Sequence, residues 1–173
     1  MKRFWMLLLA TLLLLCSCGS GSVSLELSNT HELSRGLTVH APKEWKSVAN
    51  ESEADLYLED TTGSLFLMGY VYSIDELVEG MTGADFFSGL NNLTLKNCTD
   101  TTVIRAYRRS LEKGVSRYSY VCSAENNGKE YGYYFGAVDF GDTLIWFMSS
   151  SSTKAIKKYT ATFDAILAAI ECA

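Results

Sequence analysis

The chain has 173 residues, 47% of them hydrophobic, and 15 basic against 20 acidic side chains give a net charge of −5. This mild acidity argues against nucleic acid as a partner and against adhesion to an anionic membrane face. The length suits one domain able to bury roughly two-thirds of its unfolded surface. In chain order, Lys2 and Arg3 form a short positive start, followed by an apolar run from Phe4 to Leu15. That run is shorter than the roughly 20 residues a spanning helix needs and has the length of an export leader.

The stretch Leu15-Cys16-Ser17-Cys18 resembles the bacterial lipobox: Leu, a variable residue, a small residue, then Cys. The resemblance implies diacylglyceryl transfer to Cys18, cleavage before it, and lipid anchoring on the extracytoplasmic face of the cell membrane. Cys16 is the rival site, but Leu15 before it is too bulky for a narrow cleavage pocket. Residues 1–17 therefore read as a signal peptide and 18–35 as a flexible tether opened by Gly19-Ser20-Gly21-Ser22. Residues 36–173 read as a single domain. Loss of Lys2 and Arg3 leaves 13 basic against 20 acidic residues, a mature charge of −7. Each buried acyl CH₂ is worth about 0.8 kcal/mol, so two or three chains hold the protein stably.

Beyond the tether, Leu37–His40 is a short strand candidate stopped by Ala41-Pro42. Residues 54–59 alternate apolar and polar, as a half-buried strand does. Leu65–Tyr72 is apolar almost throughout, the pattern of a strand covered on both faces. Ser73 with Glu76 suggests a short capped turn. Thr82 with Asp85 resembles a capping box opening a helix whose Phe86, Leu90 and Leu93 share a face. Four strands follow, at 103–111, 115–124, 129–140 and 143–149. Glu112-Lys113-Gly114, the hairpin signal Asn126-Asn127-Gly128, and Gly141-Asp142 separate them. A closing helix from Thr153 aligns Ile156, Tyr159, Phe163, Ile166, Leu167 and Ile170 on one face. The order predicts an α+β fold, an antiparallel sheet of six to seven strands with helices packed on it.

In such a meander, Cys98 and Cys122 fall near the same end of the sheet and Cys172 at the other. A Cys98–Cys122 disulfide, with Cys172 free, is the expected pairing, provided the Cα atoms approach within about 7 Å. His31 and His40 are the only histidines. One lies in the tether and one at a strand end, and no nucleophile–base signature accompanies them, so no catalytic residue is assigned. Glu51, Glu53, Asp55, Glu59 and Asp60 lack the spacing of a calcium loop, and no metal or cofactor site is assigned. Arg105, Arg108, Arg109, Lys113 and Arg117 gather around one hairpin. Simple alternation puts Arg105 and Arg109 on one face and Arg108 on the other, which favours edge protection over an anion-binding patch. Tyr131, Tyr133 and Tyr134 are the candidate surface for a ligand or partner, because tyrosine suits an apolar wall meeting a polar group.

Leu37-Thr38-Val39-His40-Ala41-Pro42, followed by Trp45, resembles the opening of the PsbP-like superfamily, and Phe163-Asp164-Ala165-Ile166-Leu167 resembles the end of its last helix. That superfamily includes photosystem II PsbP proteins, Ran-binding Mog-type proteins and bacterial lipoproteins of the LpqN kind. The likeness spans residues 36 to 171 and lies mainly in element order. It implies an α/β/α sandwich and an accessory or binding role rather than catalysis. The expected function is a lipid-anchored, non-catalytic module for an envelope protein or small ligand. A transporter's solute-capture lipoprotein and a small envelope hydrolase are the alternatives.

Overall fold

The computed structural model describes residues 26–49, 53–73, 75 and 80–173. The leader, Cys18, the first part of the tether, Glu51 and the turn expected at Ser73–Glu76 lie wholly or partly outside the described residues. Ten strands and two long helices are described: β1 (Asn29–Glu32), β2 (Leu37–Ala41), β3 (Lys46–Ser47), β4 (Leu56–Glu59), β5 (Phe66–Ser73), α1 (Gly83–Leu95), β6 (Thr99–Glu112), β7 (Val115–Asn126), β8 (Lys129–Asp139), β9 (Thr143–Ser151), α2 (Thr153–Ala168) and β10 (Glu171–Cys172). No described helix is long and apolar enough to cross a membrane.

Seven strands form one antiparallel sheet in the order β3-β4-β5-β9-β8-β7-β6, and β1-β2-β10 form a small second sheet. The large sheet is sandwiched. Helix α2 and the small sheet cover one face, burying Leu37, Val39, Val121, Tyr134, Ile145, Phe147, Phe163 and Ile166. Helix α1 covers part of the other, over Tyr118, Cys122, Tyr133, Phe135, Leu144 and Trp146. The apolar runs of β8 and β9 are thus explained by cover on both faces. The predicted α+β architecture and its strand count are present.

Local chemistry sets the joints. Asn127 (φ 53°) and Gly128 (φ 75°) supply the two positive φ angles of a tight hairpin between β7 and β8. The capping box of α1 forms: Thr82 Oγ1 accepts from Asp85 N–H, and Asp85 accepts from Thr82 N–H and from its hydroxyl. The bonds from Thr82 hold the Asp85 carboxyl below its ordinary pKa. Helix α2 starts on Ser152, whose hydroxyl accepts from Ala155 N–H.

Two expectations change. Residues 29–35, read as tether, form β1 and a turn. β1 pairs with β2 from Asn29 opposite Ala41 to Glu32 opposite Thr38, and the Asn29 side-chain amide donates to the Trp45 carbonyl. Composition does not reveal that pairing, because β1 is polar throughout and its partner strand, which begins five residues beyond its end, supplies the apolar side chains. On α1, the deeply buried positions are Phe87 and Asn91 rather than Phe86, Leu90 and Leu93, and Leu93 is 57% exposed. Asn91 faces inward because its Oδ1 accepts the buried Trp146 indole N–H at 3.0 Å.

Gly132 on β8 lets the first turn of α2 meet the sheet. A Cβ there would stand 2.8 Å from the Thr153 Cα and 3.0 Å from the Ile156 Cβ. Gly132→Ala is therefore expected to destabilise the fold by about 1–3 kcal/mol, measured by chemical denaturation. His31 has a buried Nε2 without a partner among the described residues, and burial lowers its pKa from the ordinary 6.5. The folded state thus prefers the neutral ring. Its contribution is fully present above pH 6.5 and is lost as pH falls toward the lowered folded value. The melting temperature is expected to drop between pH 7 and pH 5, and less steeply in His31→Gln.

Candidate functional site

The tyrosine triplet on β8 does not form one surface. β8 lies between β7 and β9, so successive side chains enter opposite covered faces. Tyr134 is 1% exposed and lies under α2, where its hydroxyl donates to Asp164 Oδ1 at 3.0 Å. Burial raises its pKa well above the ordinary value, so it stays a donor. Tyr133 is 6% exposed on the α1 side, stacked on Phe135. Burial, with Cys98 beside it, pushes its phenol up to about 12. Only Tyr131 is partly open, at the rim of a shallow depression with the Lys129 ammonium 5.1 Å from its ring.

Cys98, Cys122 and Cys172 are free thiols in the structure. Cys98 and Cys122 do share a neighbour. Cys98 Sγ lies 3.7 Å from the Tyr133 hydroxyl, and Cys122 stands directly opposite Tyr133 across the β7–β8 pair. Burial pushes the Cys122 thiol up to about 11, which keeps it protonated and unreactive. Cys172 is exposed on β10. His31 and His40 sit on the small sheet, His40 beside Thr30 and 3.9 Å from Glu171. Asp60 organises a turn by accepting from Ser64 and Leu65 N–H, and Asp55 accepts from Val71 N–H. These carboxylates thus have structural partners, and no cluster of metal-ligating side chains occurs among the described residues.

The arginines are arranged differently from simple alternation. β6 carries three register shifts against β7, at Thr99/Thr102, Val103/Arg105 and Arg105/Arg108. Each inserts an extra residue into β6 and breaks its period of two. Arg105, opposite Val121, and Arg108, opposite Ser119, consequently share the α2 face. Arg109, opposite Tyr118, turns to the α1 face and stacks over that ring at 5.8 Å. Arg105 makes a bidentate pair with Asp164 and also donates to Ser119 Oγ at 3.0 Å. The Asp164 bonds raise the Arg105 pKa further. This node joins the edge strand to α2.

The same shifts turn Tyr107 to the α1 face, where it borders an open cleft of about 650 Å³ between α1 and the β6–β7 edge. Phe87 and Leu95 from α1 and Tyr107 and Tyr120 from the sheet make its apolar walls, while Ser88, Asn91, Asn92 and Thr101 supply polar atoms. The Tyr107 ring lies 5.9 Å from Phe87 and 6.1 Å from Tyr118, and Tyr120 stacks on Phe135. Burial raises the pKa of both Tyr107 and Tyr120, so each presents a neutral hydroxyl. Tyr107 is 44% exposed, and Val103 and Leu111 on the same face of β6 are more so. An aromatic floor with a few convergent amides and hydroxyls is the usual composition of a ligand site. The sequence held one signal for it: Asn91-Asn92, two poor helix formers in the interior of α1.

Solved structures share the fold, among them the two that follow. The solution structure of the cyanobacterial PsbP protein CyanoP from Synechocystis sp. PCC 6803 superposes with a TM-score of 0.62 at 14% identity, over 88% of this chain and 96% of that one. The crystal structure of LpqN of Mycobacterium tuberculosis, a protein involved in cell envelope biogenesis, gives 0.60 at 12% identity, over 78% and 81%. No protein-family model and no curated protein sequence matches the chain. The fold is PsbP-like, as the order of elements suggested.

The thiol environments set an order of reactivity. In the native protein, iodoacetamide is expected to modify Cys172 first, Cys98 slowly, and Cys122 only after unfolding, as read by peptide mass spectrometry. A Cys98–Cys122 bridge would instead leave both residues unmodified after unfolding until reductant is added.

Proposed function

We propose that this PsbP-like chain is a lipid-anchored accessory protein of a bacterial envelope, which binds through the α1–β6 cleft and catalyses nothing. Three observations support the reading. The Leu15-Cys16-Ser17-Cys18 lipobox supports export and anchoring through Cys18. The shared fold with an envelope-biogenesis protein supports the compartment. The cleft carries the binding role: apart from Asp85 its polar atoms are amides, hydroxyls and protonated phenols, which recognise a ligand, and no histidine, lysine or cysteine lines it to activate a hydroxyl. Asp85 at its rim is already engaged by Thr82. The open, groove-like cleft suits an envelope protein segment or a small ligand with a flat apolar face and polar edges.

Two measurements test it. The mature wild type is expected to fractionate with membranes and to yield a diacylglyceryl-modified N-terminal peptide at Cys18, whereas Cys18→Ala keeps neither the lipid nor the mature N-terminus. An unmodified, freely soluble wild type would sink the anchoring. For the cleft, a photoreactive residue in place of Ser88 is expected to capture a discrete envelope partner or ligand that the same residue at Lys154 does not. Tyr107→Ala is expected to weaken that capture about thirtyfold, the usual effect of removing an aromatic anchor. Equal capture at both positions, or indifference to Tyr107→Ala, would remove the cleft from consideration.

A further inference from the structure

The register shifts that place Tyr107 in the cleft assemble a second site on the opposite face of the same hairpin. Opposed residues in an antiparallel pair point the same way, and Arg108 lies opposite Ser119 while Ser110 lies opposite Arg117. Two guanidiniums and two hydroxyls therefore occupy a two-by-two patch, with the arginines on its diagonal. Diagonal neighbours are about 7–8 Å apart, within reach of long side chains converging on one group. The patch floors an open pocket of about 520 Å³ closed on one side by the end of α2, with Arg109 at its rim.

The charge in this pocket is uncompensated. Asp164 is the only carboxylate lining it, and its charge is already paired: Oδ2 accepts from Arg105, and Oδ1 from both Arg105 and Tyr134. Arg117 donates from Nε and Nη2 to the Leu167 and Ala168 carbonyls at 3.3 and 3.4 Å, offsetting the negative end of the helix. Its Nη1 has no partner among the described residues. Arg108 is exposed and has no hydrogen-bond or ion-pair partner among the described residues. Ser119 Oγ accepts from Arg105 and keeps its own proton to donate. All this sits on a domain of mature charge −7, in which five of 13 basic residues fall between Arg105 and Arg117.

We propose that this pocket binds a phosphoryl group, carried by an anionic lipid headgroup or by a soluble phosphate, through Arg108 and Arg117 with Ser110 and Ser119 as supporting donors. Forked guanidinium donors match phosphate oxygens better than single-point cations do. The pocket's Arg108, Arg117, Ser110 and Ser119 face the α2 side of the sheet, the pocket meets the α1–β6 cleft only at Tyr107, and the proposal does not rest on that cleft's assignment.

Native mass spectrometry of the detergent-solubilised full-length protein, titrated with phosphatidylglycerol, phosphatidylcholine or inorganic pyrophosphate, tests it. Saturable retention of phosphatidylglycerol over phosphatidylcholine identifies a headgroup site, and retention of pyrophosphate alone identifies a soluble phosphate. Either must fall at least about tenfold in Arg108→Gln and stay unchanged in Lys154→Gln. Arg108 bears no part of the fold, so its loss leaves a folded protein, verified by an unchanged melting temperature. Equal retention of both lipids without pyrophosphate binding, retention of none of the three, or binding indifferent to Arg108→Gln would overturn the proposal. The same titration runs without detergent on an unanchored chain, which separates failure of the pocket from failure of the anchoring.

Discussion

The structure depends on the two-sided burial of the sheet centre. β8 and β9 place Tyr134, Val138, Ile145 and Phe147 against α2 and the small sheet, and Tyr133, Phe135, Leu144 and Trp146 against α1. An aromatic-rich strand covered on both faces excludes water from its whole ladder and gains burial on each side. Polar groups trapped inside must then find partners, and they decide how the outer layers dock. Trp146 fixes α1 through Asn91. Tyr134 fixes α2 through Asp164, which in turn takes Arg105 from the far strand.

Those two bonds explain what could and could not be read from the chain. Turn chemistry is local, so Thr82-Asp85, Asn127-Gly128 and the apolar stripe of α2 declared their elements directly. The facing of α1 is not local. Hydropathy favours Leu93 over Asn91, but a buried indole N–H costs more unpaired than an exposed leucine does. Tyrosine content had a similar ambiguity. The phenols of β8 suggested a surface, yet their strand is central, and sheet order is a property of the whole chain rather than of ten residues.

The edge strand shows the same limit at finer scale. Strict alternation assigns each side chain of β6 to a face, and one inserted residue reverses every assignment beyond it. Three insertions occur in β6. Arg105 and Arg109 were expected together and are apart; Arg105 and Arg108 were expected apart and are together. Neither composition nor periodicity encodes a bulge, so the sequence shows neither Tyr107 in the cleft nor Arg108 beside Arg117, and only the Asn91-Asn92 pair inside α1 hints at the cleft.

The bulges also resolve what a long exposed edge is for. A flat 14-residue strand would invite pairing with another chain through its free backbone groups. Irregular register spoils that template, and Arg108, Arg109 and Lys113 repel a second copy aligned against it. Suppressing pairing along the edge leaves the side chains, not the backbone, to make contacts. β6 then presents an aromatic face on one side and a cationic face on the other, separated only by the thickness of the sheet. An apolar group and an anionic group can be held there at once, because both sites lie along the edge strand and its neighbours rather than on the doubly covered β8 and β9.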